Sequence, residues 1–260
     1  MGILNVTPDS FYDGGNFDDE NKALDHAKKM SAHGADIIDV GGESTRPGSV
    51  PISLEEEIKR VLPVVKALAE EGSVVSIDTR RSNVMRKALD GGAKIINDIS
   101  ALTQDVCSLK IAAASKASVV LMHMKGRPYS MDNNGDYIDV VEEVNEYLGS
   151  RIMACQGAGI EKHRIFIDPG IGFGKNLEHN LRLISKISTF HSLGCPILVG
   201  ASRKRFIEHI VTKFDTPDRT GGTLASVLYG LSQGVQLFRV HNVKEINQGI
   251  LVFNKILNTN

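Results

Sequence analysis

Short apolar, β-branched runs alternate with longer stretches whose apolar residues recur every three and four positions, from one end of the chain to the other. The first kind reads as buried strand and the second as amphipathic helix. Strands are predicted near Gly2–Val6, Asp36–Gly41, Val74–Asp78, Ile95–Asp98, Val119–His123, Ile165–Asp168, Ile197–Gly200 and Gln236–His241. Helices are predicted over Asn21–His33, Leu54–Glu70, Ser82–Asp90, Tyr137–Gly157, Leu177–His191, Thr223–Gln233 and Val243–Leu257. Such alternation requires a parallel sheet with helical crossovers. Eight units in 260 residues, with no Pro/Ser-rich linker and no shift of composition, predict an α/β fold, a (β/α)8 TIM barrel forming a single domain over 1–260. A doubly wound open sheet is the alternative. It would want a Gly-x-Gly-x-x-Gly turn after its first strand, where this chain has Asn5-Val6-Thr7-Pro8-Asp9.

The strands end on polar residues. In chain order the predicted ends are Asn5, Asp39, Asp78, Asn97-Asp98, His123 and Asp168; the eighth carries Arg239 and His241, and the seventh leads through Gly200 into Ser202-Arg203-Lys204. Parallel strands bring all these ends to one mouth, where desolvating them costs several kcal/mol unless a ligand or mutual pairing satisfies them. Helix capping is an even alternative for any single strand-end Asp or Asn, and best for Asp98, but it does not account for the cations in the set.

Those cations gather after the last two strands, in Ser202-Arg203-Lys204-Arg205 and Arg239-Val240-His241, where barrels often hold phosphate. Asp78 and Asp168 can each accept parallel N–H bonds from an amino-pyrimidine edge, with Asn97 giving and taking beside them; ion pairs to Lys204 or Arg239 are the plainer reading. Polar, glycine-rich or proline-broken loops follow strands one, two and six, as covers would. The third, Asp168-Pro169-Gly170-Ile171-Gly172-Phe173-Gly174-Lys175, departs from a phosphate-binding P-loop in spacing and in lacking Ser or Thr after the lysine. Met122 and Phe173 also suit ordinary packing.

Composition narrows the ligand. Lys+Arg 30 against Asp+Glu 31 gives a formal net charge of −1, too balanced for an extended nucleic-acid surface, so no nucleic acid is expected and any bound anion should be small. No run approaches a membrane span and the N-terminus lacks the layout of a secretory signal, so no membrane partner is expected and the cytoplasm is the default location. Three scattered cysteines, Cys107, Cys155 and Cys195, read as buried structural thiols. No His/Cys cluster favours zinc or iron; an oxygen-ligated Mg²⁺ on a substrate phosphate, with Asn5 and Asp13 as protein ligands, fits instead.

Together the segments Met1-Gly2-Ile3-Leu4-Asn5-Val6-Thr7-Pro8-Asp9-Ser10-Phe11, Gly41-Gly42-Glu43-Ser44-Thr45-Arg46-Pro47-Gly48, Ile77-Asp78-Thr79, Ile96-Asn97-Asp98, Leu121-Met122-His123-Met124, the loop at 168–175, Ser202-Arg203-Lys204 and Arg239-Val240-His241 resemble the dihydropteroate synthase family over nearly the whole chain. The resemblance implies condensation of 6-hydroxymethyl-7,8-dihydropterin diphosphate with 4-aminobenzoate, giving 7,8-dihydropteroate and diphosphate with Mg²⁺. It implies that Asp78, Asn97, Asp168 and Lys204 hold the pterin, with Met122 packing near it and Arg239 stacking on it. Arg46, Arg239 and His241, around Val240, would receive diphosphate, and Asn5 would ligate Mg²⁺. Phe11, Thr45, Pro47, Phe173 and Ser202 would surround aminobenzoate, a group that sulfonamides mimic in this family. Asp13 would approach the reacting carbon or the metal. Lys204, Arg239, His241 and Asp13 are thus the implied catalytic set, and a homodimer the implied assembly.

Two departures stand out. The family usually continues Arg-Val-His with Asp, where this chain has Asn242, which puts diphosphate handling in question. The chain also starts inside the expected first strand, without the leading segment common in the family. These departures motivate a second hypothesis, a non-catalytic pterin- or folate-binding module. A third, an aldolase-like barrel forming a Schiff base on Lys204, rests only on a lysine near a barrel mouth.

Overall fold

The computed structural model describes residues 1–7, 16–44, 50–126, 136–211 and 218–259. Strands β1 (Gly2–Asn5), β2 (Ile38–Gly41), β3 (Val75–Asp78), β4 (Ile95–Asp98), β5 (Ser118–Met122) and β6 (Ile165–Asp168) pair in chain order as one parallel sheet. β7 (Leu198–Val199) and β8 (Leu237–Phe238) form a second parallel pair. Parallel bridges between Ile167 and Ile197 and between Gly2 and Val240 join the two. Val240 closes the ring by accepting from Ile3 N and donating to Met1 O, both at 3.0 Å. The result is the expected eight-stranded barrel, and the open-sheet alternative falls with its closure.

Helices α1 (Asn16–Ala32), α2 (Leu54–Glu70), α3 (Ser82–Asp90), α4 (Ser108–Ala114), α5 (Val140–Gly157), α6 (Leu177–Ser185), α7 (Arg205–Ile210), α8 (Thr220–Ser232) and α9 (Val243–Leu257) lie between and after the strands. Local chemistry sets their starts. Ser53 caps α2 by accepting from Glu56 N, and Asp139 caps α5 by accepting from Val141 N and Glu142 N, which moves that start from the expected Tyr137 to Val140. The expected helix Leu177–His191 divides into α6 and a 3₁₀ segment, Ile187–Leu193, which ends at Gly194 with φ 65°. Helices α4 and α7 escaped the sequence pattern because seven and six residues hold too little periodicity, and neither has a side-chain cap.

The two-residue period of the strands divides the core. Ile38, Val40, Val75, Ile77, Ile96, Val119, Leu121, Ile165 and Ile167 face outward into the large cluster shared with the helices. The opposite parity holds Met1, Ile95, Val120 and Leu198, packed with Ile37, Phe166 and Leu237 as a separate apolar layer within the ring. One step further along the same inward parity come Asn5, Asp39, Asp78, Asn97, Met122, Asp168, Gly200 and Arg239. A dry floor therefore lies beneath a polar mouth. Of the cysteines, Cys155 and Cys195 are buried as expected, but Cys107 is exposed, because it occupies the surface position just before α4.

Candidate active site

Arg239 sits at the centre of the polar layer. Its Nε donates to Asp39 Oδ2 at 2.6 Å and its Nη2 to Asp78 Oδ2 at 2.7 Å, so strands from the two ends of the chain are tied across the ring. Two committed donors fix the guanidinium plane. Asp39 Oδ2 also accepts from Asn97 Nδ2 at 3.0 Å. Because a carboxylate only accepts, that bond assigns the amide nitrogen to Asp39 and turns Asn97 Oδ1 to other donors. Burial raises the Asp78 carboxyl pKa despite the neighbouring Arg239, while Asp39 and Asp78 hold Arg239 firmly protonated.

Across the mouth, Asp168 Oδ1 accepts from Gly170 N at 2.7 Å, and burial pushes its pKa up to about 6. Gly200 lies between Asp168 and Arg239: a Cβ there would come within 3.9 Å of Asp168 Oδ2 and 4.0 Å of Arg239 Cβ. The Nζ of Lys204 stands 3.9 Å above the Phe173 ring, and burial pushes its pKa down to about 8, Arg239 adding to the effect. Gly172 has φ 81°, and a Cβ on it would approach Lys204 Cδ to 2.9 Å, so only glycine lets the β6 loop lie against that lysine. Ser202 Oγ and His241 Nδ1 are 2.9 Å apart, and His241 N donates back to Ser202 Oγ at 3.1 Å. Met122 is buried at the tip of β5.

The structure thus brings Asp78, Asn97, Asp168, Lys204, Arg239, Ser202, His241, Phe173 and Met122 to the mouth, with Asn5 on the same layer. Asn5 Oδ1 and Asp78 border one glycine, lying 3.7 Å and 3.5 Å from where a Gly41 Cβ would sit. Val240 is not in this group: it belongs to the outer cluster at 5% exposure, since it has the opposite parity to Arg239, and it contributes the backbone bridge to β1. Phe11, Asp13, Thr45, Arg46 and Pro47 lie outside the described residues. Asp98 faces away from the mouth. It accepts from Ser100 N, Ser100 Oγ and Leu102 N, which holds Ala101 and Leu102 at φ 52° and 61°, so its role is structural, but it braces a turn rather than capping the next helix, which starts at Ser108.

Sequence reasoning gave no site role to Asp39, although a wholly buried carboxylate between Ile38 and Val40 signals a buried cation. In the sequence, Lys175 stands out only by its likeness to a P-loop lysine. Its Nζ turns instead to His123 Nδ1 at 3.0 Å and to the carbonyls of Gly170 and Phe173 at 2.9 and 3.0 Å.

The family profile described as pterin binding enzyme matches residues 1–241. The dihydropteroate synthase of Escherichia coli (strain K12) is 45% identical over 258 residues, 99% of this chain and 91% of that protein. Xanthomonas albilineans dihydropteroate synthase, solved with 4-aminobenzoic acid, superposes with a TM-score of 0.93 at 41% identity, covering 100% of this chain and 93% of that one. The Yersinia pestis enzyme, solved as a sulfonamide drug complex, gives 0.93 at 41% identity, covering 100% and 94%. A closed parallel barrel with a charged mouth and this profile places the chain in the pterin-binding enzyme family. Within it, the chain belongs to the dihydropteroate synthases, which are transferases.

Proposed function

We propose that the mouth joins 6-hydroxymethyl-7,8-dihydropterin diphosphate to 4-aminobenzoate, with the labour divided among the residues described above. The observation that most supports this reading is the Arg239 bridge to Asp39 and Asp78 facing Asp168 and Lys204, anions and cations arranged for a flat heterocycle with an anionic tail. Ionised Asp168 accepts two N–H bonds from the amino-pyrimidine edge, Asn97 Oδ1 accepts a third, and Lys204 donates to the ring. Arg239, its plane held by two carboxylates, stacks on the pterin. Ser202 and Phe173 border the aminobenzoate.

The reaction is dissociative. The C–O bond to diphosphate breaks with its electron pair leaving on the diphosphate, whose charge Arg239 and His241 stabilise; the amine lone pair then forms the C–N bond and a proton is released. No enzyme nucleophile is needed. The residues fit Mg²⁺: Asn5 offers a hard amide oxygen beside the site, bordering Gly41 with Asp78, which suits an ion held mainly by phosphate oxygens and water. When bound, it supplies charge neutralisation on the leaving group.

The purified protein should convert the two substrates to dihydropteroate and diphosphate when Mg²⁺ is supplied. Tight pterin binding without turnover in well-folded protein would instead make it a binding module. Sulfonamides should compete with aminobenzoate. A homodimer is supported by the exposed Leu251, Val252, Ile256 and Leu257 on α9, and light scattering tests it. Three free cysteines, and no described helix long and apolar enough to cross a membrane, are compatible with the cytoplasm, which cell fractionation would check.

A further inference from the structure

Within the β6 loop, bonded to the loop's own carbonyls and to His123, lies a buried ammonium that the proposed reaction does not use. Lys175 is 2% exposed. Its Nζ has four acceptors around it: His123 Nδ1 at 3.0 Å, Gly170 O at 2.9 Å, Phe173 O at 3.0 Å and, more loosely, His123 O at 3.4 Å. An ammonium has three donors, so the pocket matches the protonated form, although burial pushes the Lys175 pKa down to about 7. Burial and the same lysine hold His123 neutral, its pKa pushed down to about 3, which suits an Nδ1 that accepts.

The loop is pressed against the end of β5 as closely as backbone allows. A Cβ on Gly170 would come within 1.8 Å of His123 O, and one on Gly174 within 2.3 Å of Lys125 O. Three glycines of the loop, Gly170, Gly172 and Gly174, have φ of 70°, 81° and 62°, so the path itself has little intrinsic preference and needs external support. Asn180 provides some, accepting from Gly172 N at 2.6 Å and donating to Lys175 O at 3.1 Å. The two carbonyls that Lys175 holds belong to residues with direct links to the mouth. Gly170 donates its N–H to Asp168, and the Phe173 ring lies beneath Lys204.

We infer that Lys175 is a positioning residue: by clasping the Gly170 and Phe173 carbonyls against His123, it sets Asp168 for the pterin and Phe173 for the aminobenzoate. The inference rests on the function proposed above. Removing the ammonium strips the Phe173 carbonyl of its clasp and leaves Gly170 O with only the Phe173 N–H at 3.1 Å, a bond within the loop that does not tie it to β5, so the loop can leave β5 and ground-state contacts to both substrates weaken while the Arg239 and His241 side of the mouth is untouched.

Lys175→Met keeps the volume and removes the donors. In steady-state assays of the full chain, the KM of each substrate should rise about tenfold or more while kcat stays within about threefold, a split that loss of stability alone does not produce. Lys175→Gln, which retains an N–H donor, should fall between wild type and Met, and it carries the test if the Met variant does not fold. Lys175→Ala should regain part of its affinity for both substrates when ethylammonium is added. Active wild-type enzyme with unchanged KM values in the folded variants would overturn the inference. Inactive wild-type enzyme would instead count against the proposed function.

Discussion

Asp39 and Arg239, 200 positions apart in the chain, share a 2.6 Å bond inside the ring. That bond exists only because β8 closes on β1, which brings the last strand alongside the first two. Barrel closure and site assembly are therefore one event: the cation proposed to stack on the pterin is also the one that neutralises the carboxylates of β2 and β3.

Arg239→Met should destabilise the apoprotein as well as abolish turnover. It leaves Asp39, wholly buried, and Asp78 without their cation, and breaking a buried pair by removing one partner costs about 3–5 kcal/mol. The loss should shrink in acid, where Asp78, its pKa raised by burial to about 7, becomes neutral. Chemical denaturation at pH 8 and pH 5 measures both; equal stability to wild type at pH 8 would contradict the bridge.

Asn97→Asp, nearly the same shape, should be harmful for a related reason. Asn97 Nδ2 donates to Asp39 Oδ2, and the substitution puts a second carboxyl against the first at 3.0 Å. One of the two must then keep a proton, at a cost on the order of 2 kcal/mol at pH 8. The variant should approach wild-type stability at pH 5, and a melting series across that range would show it.

The residues legible from sequence were those whose position follows from period alone. Asp78, Asn97, Asp168 and Arg239 end strands on the inward parity, so an alternating pattern and the parallel topology suffice to place them together. Val240 shows the same rule from the other side: membership of a contiguous motif suggested a site residue, and parity sends its side chain outward. Asp39 was visible as a charge within a buried run, but its partner lies across the ring closure, which local pattern does not report. Lys175 was hidden more deeply, because the Gly170 and Phe173 groups it binds are main-chain carbonyls, identical in every residue. The second strand pair is only two residues per strand, and the flanking Ile197 and Val240 join it to the larger sheet through single bridges to Ile167 and Gly2.

Asn242, the departure from the family pattern, should be nearly silent. Its Oδ1 accepts from Arg203 Nε at 3.0 Å. Arg203 has φ 56°, a left-handed conformation also braced by its N–H to Thr223 Oγ1 at 3.1 Å and by Arg219 Nη1 to its carbonyl at 2.9 Å. The amide therefore already braces the turn carrying Ser202 and Lys204. Asn242→Asp would make an exposed ion pair worth less than about 1 kcal/mol, so the KM for the pterin diphosphate should move less than about threefold. A tenfold change in steady-state assays would mean that position 242 acts on the anion directly.

The stability of the substrate-free protein should respond to pH in opposite senses on the two sides of neutrality. Asp168 has its pKa pushed up to about 6 from 3.8, so between these values the folded protein holds a proton the unfolded chain has lost, and stability falls as pH rises. Asp98, also raised to about 6 by burial, adds to the same limb. Lys204 is pushed down to about 8 from 10.5; there the unfolded chain keeps the proton the folded state has released, and stability rises with pH. Asp168→Asn should flatten the acid limb in part, and Lys204→Met the alkaline limb, in calorimetric melts from pH 4 to 10. Pterin affinity should also decline as pH falls through about 6, because protonated Asp168 no longer accepts both N–H bonds, and titration calorimetry at pH 5 and 7 would detect the loss. A flat affinity over that interval would remove Asp168 from pterin recognition.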